Sequence, residues 1–345
     1  RDEPMHCQRP KDDGTRSQMT SLPPERRLSI GLPVYNGERY LAASLDSLLR
    51  QTFRDFEIVI CDNASTDGTR GICEAYAARD SRIRYVRNQT NIGASPNFAA
   101  VARLTSAQLF KWSAHDDLYA ETYLERCIDI LDRNPDVVLA HCDATFIDEN
   151  AQPFAPAERP GGCIDPISGA EFIIDRVDLG ESASPLRRFA DVLFHSLWGT
   201  HMFGVIRRSA LDRTASIQDV PNSDRPLLAE LALLGRFQNV REKLFLKRFH
   251  ARMSLAMKGR DIVSYVSGGS ANYWKRGRQL KVYFSTPAGK PIGWVGKTAC
   301  TGLVLAYCAH VAGRSLLSRH HPAVRPANRS GGKPAGTVAA FKAWP

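Results

Sequence analysis

The sequence predicts an α/β fold built on a doubly wound sheet, and three observations predict it. Short apolar runs alternate with stretches whose apolar residues recur at helical spacing, from Leu28 to about Cys142. Polar clusters follow successive runs, at Tyr35-Asn36, Asp62-Asn63, Arg87 to Asn91 and Asp116-Asp117. The carboxyl ends of strands are where such sheets bind ligands. The length, 345 residues, allows one large α/β domain with an appendage, or two domains.

Each element follows from local pattern. Residues 28–34 form a short apolar run closed by Tyr35-Asn36-Gly37, a buried strand ending in a turn. From Glu38 to Gln51, Leu41, Leu45, Leu48 and Leu49 fall on one helical face. Phe56 to Cys61 is a second strand, and the turn from Ser65 to Thr69 opens a helix running to about Ala78. A third strand starts at Ile83, and Asn91-Ile92-Gly93 turns into a short helix through Leu104. Gln108 to Ser113 is the fourth strand, followed by a helix from Glu121 to Asp132 and a fifth strand from Asp136. Residues 148–166 are rich in Pro and Gly and read as loop. Further on, His201 to Arg208 reads as a strand and Phe237 to His250 as one or two more. Between them a helix is punctuated by Ser223, Pro226 and Gly235. Pro291 to Gly313 is mostly apolar, but Lys297, His310 and several glycines make it a poor spanning segment.

Composition adds an asymmetry. The formal net charge is +10, yet from Arg241 onward 19 Lys/Arg face 2 acids, so a mildly acidic body carries a basic tail. Three readings of the tail compete. Basic residues interleaved with Trp274, Tyr283 and Trp294 suit an anchor at a membrane surface, at the inner face of the cell membrane of a cytoplasmic protein. Charge alone would also suit nucleic acid, but no nucleic-acid motif accompanies it. Solvated disorder is the third. Eight scattered cysteines form no C-x-x-C pair, which argues against a zinc site and suits buried, reduced thiols. The first 27 residues are polar, show no signal pattern and are expected to be disordered; the chain opens on Arg rather than Met, so its natural start is expected upstream.

The triplet His115-Asp116-Asp117 ends the fourth apolar run. Adjacent carboxylates at the exit of a buried strand repel each other and cost desolvation. Either they hold a cation, or they form a surface turn before a helix, where Asp is favoured.

These residues resemble the family 2 glycosyltransferases of GT-A fold. Leu32-Pro-Val-Tyr-Asn-Gly is similar to the family's first-strand pattern. Gln51-Thr-Phe, then Phe56-Glu-Ile-Val-Ile-Cys-Asp-Asn-Ala-Ser-Thr-Asp-Gly-Thr, matches its longest signature almost position for position. Asn91-Ile-Gly matches its N-x-G, and His115-Asp116-Asp117 stands where its acidic metal-binding motif stands. The resemblance covers about Leu28 to His250. It implies a Rossmann-like, doubly wound mixed sheet over 28–250, with a nucleotide-sugar-binding half (28–147) and an acceptor-binding half (148–250). Residues 251–345 are then a basic, partly apolar extension.

The implied activity is inverting transfer of a sugar from a UDP-, GDP- or dTDP-sugar to the hydroxyl of a glycan or lipid-linked acceptor, with Mg²⁺ or Mn²⁺ as cofactor. Asp62 would receive the donor base, with Pro33 and Tyr35 lining its pocket; otherwise Asp62 closes an Asx-turn and Tyr35 is core. Asp116 would face the ribose and Asp117 the metal, while Arg87 and Asn91 would contact diphosphate or ribose. The catalytic base would be an acid opening a later helix, and Asp224, 107 residues after Asp117, fits, with Asp219 as the fallback. As a helix-terminal acid Asp224 also has a purely electrostatic explanation. Asp67 is expected to cap and brace. Trp198 would offer an acceptor sugar a platform, and His201 would approach acceptor or diphosphate; the alternative for both is packing. His115 departs from the commoner acid, and the Q-x-x-R-W of processive synthases is absent. A non-catalytic nucleotide-sugar-binding module is the alternative function. A nucleotidyltransferase would want a Gly-rich basic loop after the first strand, which Tyr35-Asn-Gly-Glu is not.

Overall fold

The computed structural model describes residues 26–158, 162–164, 169, 171–173, 178–220, 222–250 and 276–320. The expected disorder of residues 1–25 and of the end beyond 320 lies outside these, as does Trp274.

Eleven strands and nine α-helices are described. The first half alternates β1 (Leu28–Val34), α1 (Leu41–Leu49), β2 (Phe56–Asp62), α2 (Thr69–Arg79), β3 (Ile83–Arg87), α3 (Ala94–Arg103), β4 (Leu109–Trp112), β5 (Leu118–Tyr119), α4 (Tyr123–Arg133) and β6 (Val137–Ile147). Then come β7 (Ala155–Pro156), β8 (Gly162–Ile164), β9 (Glu171–Ile173), α5 (Pro185–His195), a 3-10 turn (Thr200–Phe203), β10 (Val205–Arg207), α6 (Arg208–Leu211), α7 (Asp224–Leu234) and β11 (Arg236–Arg248). Two more helices, α8 (Arg276–Ser285) and α9 (Gly293–His320), complete the described chain. The principal sheet has eight strands in the order β3-β2-β1-β4-β10-β6-β11-β5, and β7-β8-β9 form a small sheet of their own. β10 runs antiparallel to β4 and β6, so the sheet is mixed, as the resemblance implies.

Register is what positions the site. β1 and β2 pair so that Val34 stands beside Asp62, and β2 and β3 so that Asp62 stands beside Arg87. Three apolar runs therefore release their polar ends along one edge. β1 and β2 are buried on both faces, as central parallel strands require, with Ile30, Leu32, Ile58, Val59 and Ile60 inaccessible, whereas β3, at the edge of the sheet, is largely half-buried or exposed. α4 covers one face with Tyr123, Leu124, Cys127, Ile128 and Leu131, one stripe of a 3.6-residue period.

Within the core lies a charged group. Lys111 of β4 is inaccessible; its Nζ donates to the carbonyls of Trp112 (3.1 Å) and Phe203 and sits 4.0 Å from the Tyr119 ring centroid. Burial pulls its ammonium down to about 7.

Two expectations change. The strand expected from His201 is only Val205–Arg207, preceded by the 3-10 turn. The reason is glycine at both ends of that turn: Gly199 sits in the left-handed region (φ 62°), and a Cβ on Gly204 would lie 2.6 Å from the Ala140 carbonyl. Ser223 makes no side-chain cap to α7; Asp224 itself opens the helix.

β11 is one long strand with a break in its pairing to β6. Register shifts fall between Asn239 and Lys243 and between Lys243 and Phe245, and Arg241 takes φ 63° while donating its N–H to Asn239 Oδ1 at 2.7 Å. The chain then resumes pairing through Arg248 against Ile147.

α8 and α9 are folded against the second half. Lys290, between them, is buried and bonds Glu230 of α7 at 2.6 Å. Tyr307 of α9 receives a hydrogen bond from Arg225, whose other arm reaches the Ser196 carbonyl at 2.6 Å.

Candidate active site

At the edge formed by β1, β2 and β3, two loops are laced together. Asn36, at φ 51°, donates its N–H to Ser65 Oγ (2.9 Å), and its side-chain oxygen accepts from the Thr66 N–H (2.9 Å). Gly37 N–H reaches Thr69 Oγ1 at 2.8 Å. Glu38 and Asp67 exchange bonds: Glu38 Oε2 accepts from Gly68 N–H, and Asp67 Oδ2 from Glu38 N–H. Asp67 also takes the Thr69 N–H, so it caps and braces as expected; although burial opposes it, these bonds hold its carboxyl below the usual range.

Asp62 is inaccessible and bound on both oxygens. Oδ1 accepts from Ser65 N–H (2.9 Å), and Oδ2 from the Tyr85 hydroxyl (2.8 Å) and Arg87 Nε (3.1 Å). A carboxylate has about four acceptor positions, and three of them are filled within the protein. Arg87 also donates to the Ser65 carbonyl at 2.8 Å, so its first duty is to this loop. Asn91 is likewise engaged, accepting from Asn63 Nδ2 (2.7 Å) and Gly93 N–H (2.8 Å). Pro33 is buried beside Cys61, and Tyr35 is half-buried at the loop.

The acidic pair follows β4. Asp116 Oδ2 meets His250 Nε2 at 2.8 Å. Burial alone would raise Asp116, but the charges of His115, His250 and Lys247 hold it below the usual carboxylate range. Asp117 is 1% exposed; Oδ1 accepts the Arg248 N–H at 2.9 Å, while Oδ2 is buried with no hydrogen-bond partner and Lys247 Nζ lies 4.0 Å away. Burial, then the neighbouring Asp116, pushes Asp117 up to about 6, against the pull of Lys247. A buried, unsatisfied carboxylate oxygen is costly unless something binds it. Hard divalent cations take oxygen ligands and keep several waters or phosphates, so Asp117 fits Mg²⁺ or Mn²⁺. No group of three His, Cys, Asp or Glu side chains able to hold a metal occurs among the described residues, so the remaining ligands would come from diphosphate and water.

The end of β11 completes this corner. Arg248 is 4% exposed and donates to the carbonyls of Asp116 (2.9 Å), Asp148 (2.9 Å) and Glu149 (3.1 Å). Sequence reasoning assigned Lys247, Arg248 and His250 no role. The available signal was a cluster of cations closing the last strand of a domain whose fourth strand ends in acids. Gly37 belongs here too, since a Cβ on it would lie 2.7 Å from the His115 ring.

Asp224 opens α7 across from this corner in the second half. A Cβ on Gly199 would lie 2.0 Å from Asp224 Oδ2, so the left-handed glycine permits close approach to the carboxylate. Trp198, next in chain, is half-buried with its ring edge-on to Phe146 (5.5 Å) and Phe249 (5.6 Å). Phe249 precedes His250, so one run of contacts joins Asp224 to Asp116. Asp219 instead pairs with Arg278 of α8 at 3.3 Å. His201 is 2% exposed and packs against His141, ring centroids 4.3 Å apart.

Comparison with known proteins agrees with this fold. Residues 29–192 match the model of "Glycosyl transferase family 2". An uncharacterized glycosyltransferase of Rickettsia typhi is 32% identical over 126 residues, covering 36% of this chain and 38% of that protein. Glycosyltransferase GlyG of Streptococcus pneumoniae is 26% identical over 115 residues, 33% of this chain and 38% of that protein. The chain thus matches well under half the length of these relatives. The solved structure of S. aureus TarS 1–349 in complex with UDP-GlcNAc superposes with a TM-score of 0.56 at 17% identity, covering 81% of this chain and 72% of that one. Taken with the motifs and the mixed sheet, these matches make residues 29–192 a family 2 glycosyltransferase domain of GT-A fold.

Proposed function

We propose that this chain transfers a sugar, with inversion, from a nucleoside-diphosphate sugar to the hydroxyl of an envelope-type or lipid-linked glycan acceptor. The observation that carries this reading is Asp117: a buried carboxylate with one oxygen lacking a hydrogen bond, in the turn after β4, beside Asp116 and 4.0 Å from Lys247. TarS, which shares the fold, has been crystallised with UDP-GlcNAc and with UDP, which supports a nucleotide-sugar donor here.

In this reading Asp62 accepts the ring N–H of the base, against the floor formed by Pro33 and Tyr35. Arg87 fixes that carboxylate and leaves part of its guanidinium, one third exposed, toward the donor. Asp116 turns to the ribose. Mg²⁺ or Mn²⁺, held by Asp117, would neutralise charge on the diphosphate leaving group. Lys247 adds fixed positive charge on the same side. Asp224 takes the proton of the acceptor hydroxyl as its oxygen attacks the anomeric carbon from the face opposite the leaving group. The half-buried Trp198, held by Phe146 and Phe249, gives the acceptor sugar a flat apolar wall.

A thermal-shift panel of UDP-, GDP- and dTDP-sugars, with Mn²⁺ and with chelator, tests the reading. One nucleotide class should raise the melting temperature only with metal, and Asp117→Ala should abolish the rise. A rise of equal size in Asp117→Ala would remove the metal assignment; no rise with any nucleotide would remove the donor.

A further inference from the structure

We propose that the outward face of α9 is a membrane-docking surface that seats on anionic lipid. The proposal deepens the transferase reading, because it places the chain where a lipid-linked acceptor would be.

α9 has two unlike faces. Cys300, Val304 and Tyr307 are buried, and the helix packs on α5 and α8, with Tyr307 also bonded by Arg225 of α7. The opposite face carries Trp294, Val295, Thr298, Thr301, Leu305 and Ala309, and no charge. Trp294 is 80% exposed, Val295 61% and Leu305 57%. The threonines are less polar than they read. Thr298 Oγ1 donates to the Trp294 carbonyl at 3.1 Å and Thr301 Oγ1 to the Lys297 carbonyl at 3.0 Å, so their hydroxyls are turned into their own helix. α8, which meets α9 through Tyr283 and Tyr307 (5.4 Å), also exposes Leu280 and Phe284 beside Lys281. Exposed tryptophan and leucine on a helix face mark an interaction site, and Trp favours the membrane interface.

Charge selects the occupant. After Asp261 the sequence contains no acid at all, while Lys and Arg continue to the end. A second copy meeting this face with its own would bring the same positive field, and so would the chain's own residues 321–345. An anionic bilayer brings the opposite one, and apolar insertion together with basic charge is the two-part signal that holds a protein on such a surface. The stretch Gly293–Ala312 is also long and apolar enough to cross a membrane by length and composition. Its inner face argues for lying along the surface instead, since crossing would strip Tyr307 from Arg225 and uncover Cys300 and Val304. The same contact links the docking helix to the base: Arg225 follows Asp224 directly.

Co-sedimentation of the full chain with sucrose-loaded vesicles tests this. The wild type should partition onto phosphatidylcholine/phosphatidylglycerol vesicles at least ten-fold better than onto phosphatidylcholine alone, and carbonate should release it. Trp294→Glu with Leu305→Glu should lower the partition on the order of ten-fold. Trp294→Glu alone, at the most exposed position, should give part of the loss with an unchanged melting temperature. Equal partition of wild type and variants would overturn the proposal. So would resistance to carbonate, or a wild-type dimer that the variants dissociate and that ignores vesicles. Donor-induced thermal shift, read without vesicles, should be the same in all three proteins. Its absence in the wild type would count against the transferase reading, leaving the partition to decide docking.

Discussion

His250 and Asp116 stand 134 residues apart in sequence and 2.8 Å apart in space, a residue just past the end of β11 closing on the acid after β4. The contact ties the first half of the domain to the end of the second, and it sets the orientation of a carboxylate expected to meet the ribose. His250→Ala leaves a buried carboxylate without that partner. Metal-dependent donor affinity should fall about 10-fold, in the range seen when a group orienting a site ligand is removed. Calorimetric titration of donor with Mn²⁺ checks it; an unchanged Kd would show that Asp116 needs no orientation.

Asp224 is predicted to act on the acceptor alone. Asp224→Asn keeps the shape and removes the basicity. Turnover should drop 10²–10⁴-fold, the usual contribution of a positioned base. Donor affinity should stay within about 3-fold on the same scale of energies. Near-normal turnover would return attention to Asp219, despite its pairing with Arg278.

Gly199 sets how near the backbone comes to that base. Gly199→Ala adds a methyl at 2.0 Å from Asp224 Oδ2, at a φ of 62° that alanine resists. The carboxylate must turn away. Stability should fall by about 1–2 kcal/mol from backbone strain, measured by denaturant unfolding. Initial-rate assays should show a larger loss in kcat than in donor KM. Equal losses would mean that the carboxylate had not moved.

Lys111 predicts a pH dependence. Its folded value, about 7, lies below the ordinary lysine value of 10.5, so between these the unfolded chain binds the extra proton. Stability attributable to this site therefore rises with pH across that window and is lowest below pH 7. Lys111→Met should gain on the wild type at pH 6.5 and lose that relative gain by pH 9.5, a swing on the order of 2–4 kcal/mol. Thermal melts at both pH values check it. A constant difference would mean that the carbonyls of Trp112 and Phe203 and the Tyr119 ring solvate the ammonium as well as water does.

The first half, residues 28–147, was legible because its elements are local. Buried strands and amphipathic helices announce themselves by period, and the loops by Asp62 and Asp67, whose side chains close bonds to Ser65 and Thr69 just ahead of them. What escaped was set by distant pairing. β5 has two residues and exists because β11 pairs with it. Lys247, Arg248 and His250 acquire meaning only when β11 lies beside β6. α5 went unassigned although Ser184 and Pro185 announce its start. His201 could not be sorted from sequence, since only the packing shows His141 against it. The C-terminal helices looked like an appended tail because Lys290–Glu230 and Arg225–Tyr307 join residues far apart in the chain.

The irregular stretch around Arg241 carries a consequence for how the chain can change length. Side chains alternate along β11, and beyond Lys243 they face the acids in a fixed phase: Lys247 toward the Asp117 carboxylate, Arg248 with its backbone on Asp117 and its side chain over the Asp116 carbonyl. A single insertion or deletion between Phe245 and His250 would exchange the two faces and carry Lys247 away from Asp117. The same change among residues 240–242, where pairing is already interrupted, can be absorbed. Natural or engineered variation in length belongs on the near side of Lys243, and the residues from Phe245 to His250 must keep their number even where their identity changes.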